Sequence, residues 1–135
     1  MNEITKQEIL VFLQSRVFYL ATIGDGPKIR PMKSVCYFED KIWFEVGNHK
    51  NVYSQMKIDP RVSICACDEK FDWIRIEGKA VFDDRIEVKQ AMLEQFPTLL
   101  KRNIYTGVTD RRLSPFFIDN PQINIYNITG PYKDL

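Results

Sequence analysis

Six or seven short runs rich in β-branched and aromatic residues, most of them separated by tight turn signals, limit this chain to a mainly β fold. The runs lie at about 17–23, 28–38, 41–46, 61–67, 72–82, 116–118 and 123–128. Gly24-Asp25-Gly26-Pro27, Glu39-Asp40, Asp68-Glu69-Lys70-Phe71 and Asp119-Asn120-Pro121 supply the turns, and the last of these makes a closing hairpin of the final two runs. Such turns join antiparallel neighbours, whereas a doubly wound sheet needs a crossover helix between successive strands. The expected architecture is an antiparallel, six-stranded split β-barrel with peripheral helices, formed by residues 1–135 as one domain. Pro31 lies within the second run and cannot donate to a ladder, which predicts an edge position or a bulge there.

Helical patterns fall at three places. Thr5-Lys6-Gln7-Glu8 has the capping-box form and opens a helix over 5–15. Asn51 is the expected N-cap of a short helix over 52–58, which Asp59-Pro60 ends. Asp83 or Asp84 is expected to cap a helix to Gln95, and Thr98 a further turn after Pro97. The stretch 105–115 is polar and irregular, and a loop of that length in a small domain calls for a functional reason.

Composition removes several function classes. Nineteen basic and 18 acidic residues leave a net charge of +1, which does not suit binding of nucleic acid by bulk electrostatics. There is no apolar run of the ~20 residues a bilayer demands, and no signal-peptide pattern. Cys36, Cys65 and Cys67 are odd in number and lack CxxC spacing, which suits reduced thiols in a cytoplasm. The single histidine, His49, rules out multi-histidine zinc sites within one chain, and no metal site is expected.

What remains is the basic stretch from Lys28 to Tyr53. Arg30 and Lys33 sit on a strand, and His49 and Lys50 lie in the loop before a helix start. Cations from a strand and from a helix N-terminus can together hold a phosphate. Taken singly, Arg30 and Lys50 read equally well as solvated charges, His49 as a loop residue, and Trp43 and Trp73 as packing aromatics. Arg75 and Glu77 read as a cross-strand ion pair.

The ordered series FYLATIGDGPKIRPM, IWFEVGNHKNVYSQMKIDPRVSICAC, DWIRIEGKAVFDD and INIYNITG resembles the small FMN-binding split-barrel proteins related to pyridoxamine 5′-phosphate oxidase. The resemblance implies a homodimer of six-stranded barrels with FMN in clefts at the interface. By that likeness Arg30, Pro31 and Met32, followed by Lys33, would run along the flavin. Glu45, Val46 and Gly47 would approach the ring, Lys50 and Asn51 would take the phosphate, and Trp73 or an aromatic from 105–117 would close the cleft from the partner. It also implies an oxidoreductase that passes electrons from NADH or NADPH to a small organic acceptor or oxygen; no catalytic side chain is assigned, because the flavin carries the redox chemistry. A non-catalytic FMN- or haem-binding carrier or sensor is the alternative. A module for single-stranded nucleic acid, with Tyr37, Trp43 and Phe44 as platform, is disfavoured by the balanced charge.

Overall fold

The computed structural model describes residues 5–127. Seven strands, one more than the six expected, form a single antiparallel sheet. They are β1 (Phe18–Thr22), β2 (Lys28–Met32), β3 (Val35–Phe38), β4 (Lys41–Gly47), β5 (Arg61–Cys67), β6 (Asp72–Phe82) and β7 (Leu113–Asn127). Helices α1 (Lys6–Gln14), α2 (Asn51–Ile58), α3 (Ile86–Gln95) and α4 (Thr98–Lys101) lie between or before them. Among the described residues, no helix is long and apolar enough to cross a membrane.

The sheet order β2-β1-β5-β6-β7-β4-β3 leaves β2 and β3 as its two edges. Those edges are joined by Lys33 and Ser34 alone. Three Cα–Cα steps of about 3.8 Å keep Met32 and Val35 within roughly 11 Å of each other. The sheet therefore curls until its edges meet at a covalent seam, which is the split barrel. The run expected as one strand over 28–38 is thus two strands, interrupted where the chain crosses from one edge to the other. Pro31 sits on an edge strand, opposite Tyr19.

Alternation along β4 sends its two faces into two different cores. Phe44 and Val46 join Phe18, Leu20, Ile64, Ile74, Ile76 and Phe116 inside the barrel. Trp43 points the other way, into a second cluster in which Val88, Met92 and Leu99 of α3 and α4 cover Cys36, Tyr105 and Leu113. Its indole N–H donates to the Phe38 carbonyl at 2.8 Å. Trp43 and Phe44 are at most 2% exposed, so neither can serve as a stacking platform for bases.

Local chemistry accounts for most element boundaries. Thr5 Oγ1 accepts from the Glu8 amide at 3.1 Å, the capping bond expected of the first helix. Glu39 and Asp40 both have positive φ, 51° and 61°, which is the pair a two-residue type I′ hairpin requires. Four expectations fail. Lys50, not Asn51, occupies the N-cap position of α2 and makes no side-chain cap bond. Arg85 holds that position in α3, because the Asp83 carboxylate turns forward to accept from the Arg85 amide at 3.0 Å. Thr98 is the first residue of α4, after Pro97 at the cap.

The fourth correction concerns the end of the fold. The expected hairpin around Asp119-Asn120-Pro121 is absent, and β7 runs unbroken from Leu113 to Asn127 beside β6. Asn120 does take positive φ, 47°, but the outcome is a bulge. Glu77 pairs with Gln122 and Lys79 with Asp119, so Gly78 alone faces Asn120 and Pro121. Gly78 makes this possible. A Cβ there would lie 2.6 Å from Ile118 Cγ2 and 2.9 Å from the Asp119 carbonyl oxygen.

Candidate functional site

A cleft of about 320 Å³ opens beside the seam. Arg30, Pro31, Met32 and Lys33 form one wall, and Glu45, Val46, Gly47 and Lys50 another. Eight of the ten residues expected at the site thus line one space. Two do not. Asn51 is exposed in the first turn of α2 and is not among the lining residues. Trp73 lies on β6, stacked on Tyr126 with ring centroids 4.1 Å apart, and does not line its own chain's cleft.

Arg30 is more than a surface cation. Its guanidinium donates to Thr22 Oγ1 at 2.9 Å, to Gln55 Oε1 at 2.7 Å and, longer, to the Leu20 carbonyl at 3.4 Å. Thr22 in turn donates to Gln55 Oε1 at 2.7 Å. Thr22 and Gln55 are both buried, so these bonds tie β1, β2 and α2 into one corner. Burial pulls the Arg30 pKa below its ordinary value. A guanidinium has five N–H donors and three are committed here, so two stay available.

Glu45 is the one carboxylate in the cleft and is 9% exposed. The Tyr105 hydroxyl donates to its Oε2 at 2.6 Å. Burial pushes the Glu45 carboxyl above its ordinary pKa, against the opposing pull of Tyr105, Ser34 and the Lys50 charge. The same pairing pushes the Tyr105 phenol up, through burial first and the adjacent Glu45 charge second. Gly47 lies close against two side chains: a Cβ would fall 2.5 Å from His49 Cε1, so that the exposed imidazole would have to turn aside, and 3.4 Å from the Tyr105 hydroxyl. His49 itself is exposed.

The third wall was not predicted from the sequence. Phe96, Thr98, Leu99, Arg102, Ile104 and Tyr105 come from the α3–α4 corner and the segment after it. Tyr105, from the segment expected to reach substrate or the partner's flavin, lines its own chain's cleft. Pro97, which ends one helical run and starts another in a new direction, is the sequence signal for this wall. The irregular stretch behind it is internally tied. Asp110 accepts from the Thr106 and Arg112 amides at 3.0 Å each and pairs with Arg112 at 2.7 Å, which holds its carboxyl well below the usual range. The Arg75–Glu77 pair exists at 3.3 Å, but within β6 and not across strands, because residues two apart share a face.

The cleft therefore gathers four cations, Arg30, Lys33, Lys50 and Arg102, around one buried carboxylate, with apolar side chains from Met32, Val46, Val52, Leu99 and Ile104 between them. That donor set matches a ligand with an anionic end and a flat apolar body.

Comparison with known proteins points the same way. A family model described as pyridoxamine 5′-phosphate oxidase matches residues 5–114. The chain is similar to a NimC/NimA family protein from Clostridium acetobutylicum, at 35% identity and a TM-score of 0.84, over 94% of this chain and 88% of that one. It also shares its fold with a pyridoxamine 5′-phosphate oxidase-related, FMN-binding protein from Nostoc punctiforme (17% identity, TM-score 0.67, 94% and 81% covered). A further structure of the same fold is HutZ, the haem storage protein of Vibrio cholerae (15% identity, TM-score 0.67, 93% and 95% covered). No curated protein matches in the sequence comparison. With the family model spanning every described residue before β7, the chain belongs to the pyridoxamine 5′-phosphate oxidase family.

Proposed function

We propose that this protein is a single-domain, FMN-dependent oxidoreductase that passes electrons from a nicotinamide donor to a small organic acceptor or oxygen. The observation that carries the reading is the meeting of Arg30–Lys33, Glu45–Gly47 and Lys50 in one cleft. Lys50, at the start of α2, and the uncommitted donors of Arg30 suit the flavin phosphate, which carries about −1.5 to −2 charge near neutral pH. Met32, Val46 and Leu99 offer apolar surface for the ring. FMN, when bound, supplies the hydride chemistry. The protein's own part is to bind and orient, and to keep the Glu45–Tyr105 proton inside the cleft.

A homodimer completes this proposal. The outer face of β6 carries Trp73 and Arg75, with Tyr126 of β7 beside them, and the guanidinium carbon lies 5.6 Å from both ring centroids. Asp72 Oδ1 is buried there without a hydrogen-bond partner among the described residues, and Arg75 Nε has only its 3.3 Å ion pair with Glu77, a state that a second subunit would relieve. Trp73 would then reach the partner's flavin cleft. The three free cysteines suit a reducing compartment such as the cytoplasm.

The visible spectrum of the purified protein tests the reading. A flavin spectrum, native or after adding FMN, is expected, and bleaching by NADH or NADPH under anaerobic conditions would separate an enzyme from a carrier. Lys50→Ala should weaken FMN retention about tenfold or more, at roughly 1.5–3 kcal/mol for a charge-assisted bond. No flavin uptake at millimolar FMN overturns the proposal. A haem spectrum that disappears in His49→Ala would replace it with the haem-carrier reading.

A further inference from the structure

We infer that the chain carries a second anion site, on a different face of α2 from the flavin cleft, that takes a small phosphate monoester. The site is a cleft of about 530 Å³ whose lining includes Tyr53 and Lys57 of α2, Lys89 of α3, and Arg111 and Ser114 around the start of β7.

Lys89 carries the argument. It is 8% exposed, yet its ammonium makes one hydrogen bond, a long 3.5 Å contact to the Asp110 carbonyl. An ammonium has three donors. Among the described residues no carboxylate comes within 4 Å of it, since the Asp110 carboxylate is turned to Arg112. A buried charge in that state is costly unless something of opposite sign reaches it. Two more cations line the same space without an ion pair among the described residues. Arg111 is exposed and its guanidinium makes no ion pair, while its carbonyl accepts from Asn48 Nδ2 at 2.5 Å. Lys57 rests over the rings of Tyr53 and Phe82, 5.2 and 5.1 Å from their centroids.

Charge selects the ligand class. Of the two acids that line the cleft, Asp83 pairs at 2.9 Å with Arg85, which Glu39 also holds at 2.8 Å, and Asp84 makes no ion pair among the described residues. The cleft's three cations outnumber its two carboxylates, and the buried Lys89 ammonium has neither carboxylate within 4 Å, which suits an anion rich in acceptors such as a phosphate monoester at about −1.5 to −2. The 114 hydroxyl, whose one contact is a 3.5 Å bond to the Arg112 carbonyl, is free to turn toward a phosphoryl oxygen. The 47–50 turn separates this cleft from the flavin site: Gly47 and Lys50 line one, Asn48 the other.

The test is titration of inorganic phosphate and of glycerol 3-phosphate into the protein as purified, with and without saturating FMN, followed by calorimetry and amide chemical shifts. Binding is expected in both states, with shifts centred on Lys89, Arg111 and Ser114. Arg111→Ala, a change at an exposed residue, should weaken binding about tenfold, and Lys89→Met should abolish it with the fold retained in the amide spectrum. Lys50→Ala should leave it unchanged. The site is overturned by any of three results: no binding at tens of millimolar phosphate, binding lost on FMN saturation or in Lys50→Ala, or affinity unmoved in both Arg111→Ala and Lys89→Met. Because the titration does not depend on FMN uptake, failure of the flavin reading and failure of this one are told apart.

Discussion

The Tyr105 hydroxyl donates a 2.6 Å hydrogen bond to the Glu45 carboxylate, across 60 residues of sequence and from the irregular segment onto the central face of β4. This bond fastens the least regular part of the chain to the sheet in the cleft beside the seam. Tyr105→Phe removes the donor and leaves a buried carboxylate with one fewer partner. The expected cost is about 1–3 kcal/mol in the unfolding free energy, the range for an unsatisfied buried polar group. Urea unfolding checks it, and a loss below a few tenths would show that the bond is replaced by solvent.

Stability should fall away on both sides of a mildly acidic optimum, for opposite reasons. The folded protein holds the Glu45 proton more tightly than the unfolded chain does, its ordinary value being 4.5. Its stabilising contribution is therefore full below that value and is lost as pH rises through the higher folded pKa. Asp59 runs the other way, its carboxyl drawn from 3.8 to about 2 by Arg61. Asp110 is drawn down as well. Their contribution is present above 3.8 and lost as pH falls through the folded values. In FMN-free protein, Glu45→Gln should flatten the neutral limb and Asp110→Asn the acid limb of a urea-midpoint profile measured from about pH 2 to about pH 8.

Gly78→Ala should destabilise the fold although the residue is only partly buried. Its Cβ would press on the Asp119 carbonyl oxygen at 2.9 Å, and backbone cannot step aside as a side-chain end can. A cost of about 1–3 kcal/mol is expected for this overpacking. Lys79→Ala, next door and exposed, is the control and should change the unfolding midpoint little.

Trp73→Ala should dissociate the proposed dimer and, with it, lower FMN affinity. Trp and Arg anchors at interface centres commonly contribute about 2 kcal/mol or more, so a dissociation constant at least tenfold weaker is expected. Sedimentation velocity across a concentration series measures it. A dimer indifferent to both Trp73→Ala and Arg75→Ala would place the interface on another face.

The strands were legible because each is a local, alternating pattern with its turn chemistry attached. Glu39-Asp40 shows this well: an acidic pair between two strand-like runs reads as a hairpin turn, and both residues take the positive φ such a turn requires. The error at Asn120 shows the limit of the same logic. Asn followed by Pro is turn chemistry, but whether it reverses the chain or bulges it depends on Gly78, more than 40 residues away in sequence and opposite in the sheet. Caps failed for a related reason, since Asp83 could serve Arg85 or the helix and the ion pair decided. In the site, the walls from β2 and β4 could be read from charge and position. The wall from Phe96 to Tyr105 could not: Pro97 marks a break in the helix, but the burial of Leu99 in one cluster with Trp43 and Leu113, which are distant in sequence, folds the segment back over the cleft.

The place of β7 in the sheet sets the order in which this molecule can be assembled. β2, β1, β5 and β6 form one block of neighbours and β4 with β3 another, and the sheet joins the two blocks only through β7. That strand follows every other described strand and pairs Glu45 with Pro115 on one side and Trp73 with Tyr126 on the other. A nascent chain emerging from a ribosome can therefore form two hairpin-based fragments early, but each keeps an open edge until residues 113–127 are out. During that interval β4 and β6 are exposed to pairing with other copies, which makes the last strand the step at which folding and aggregation compete.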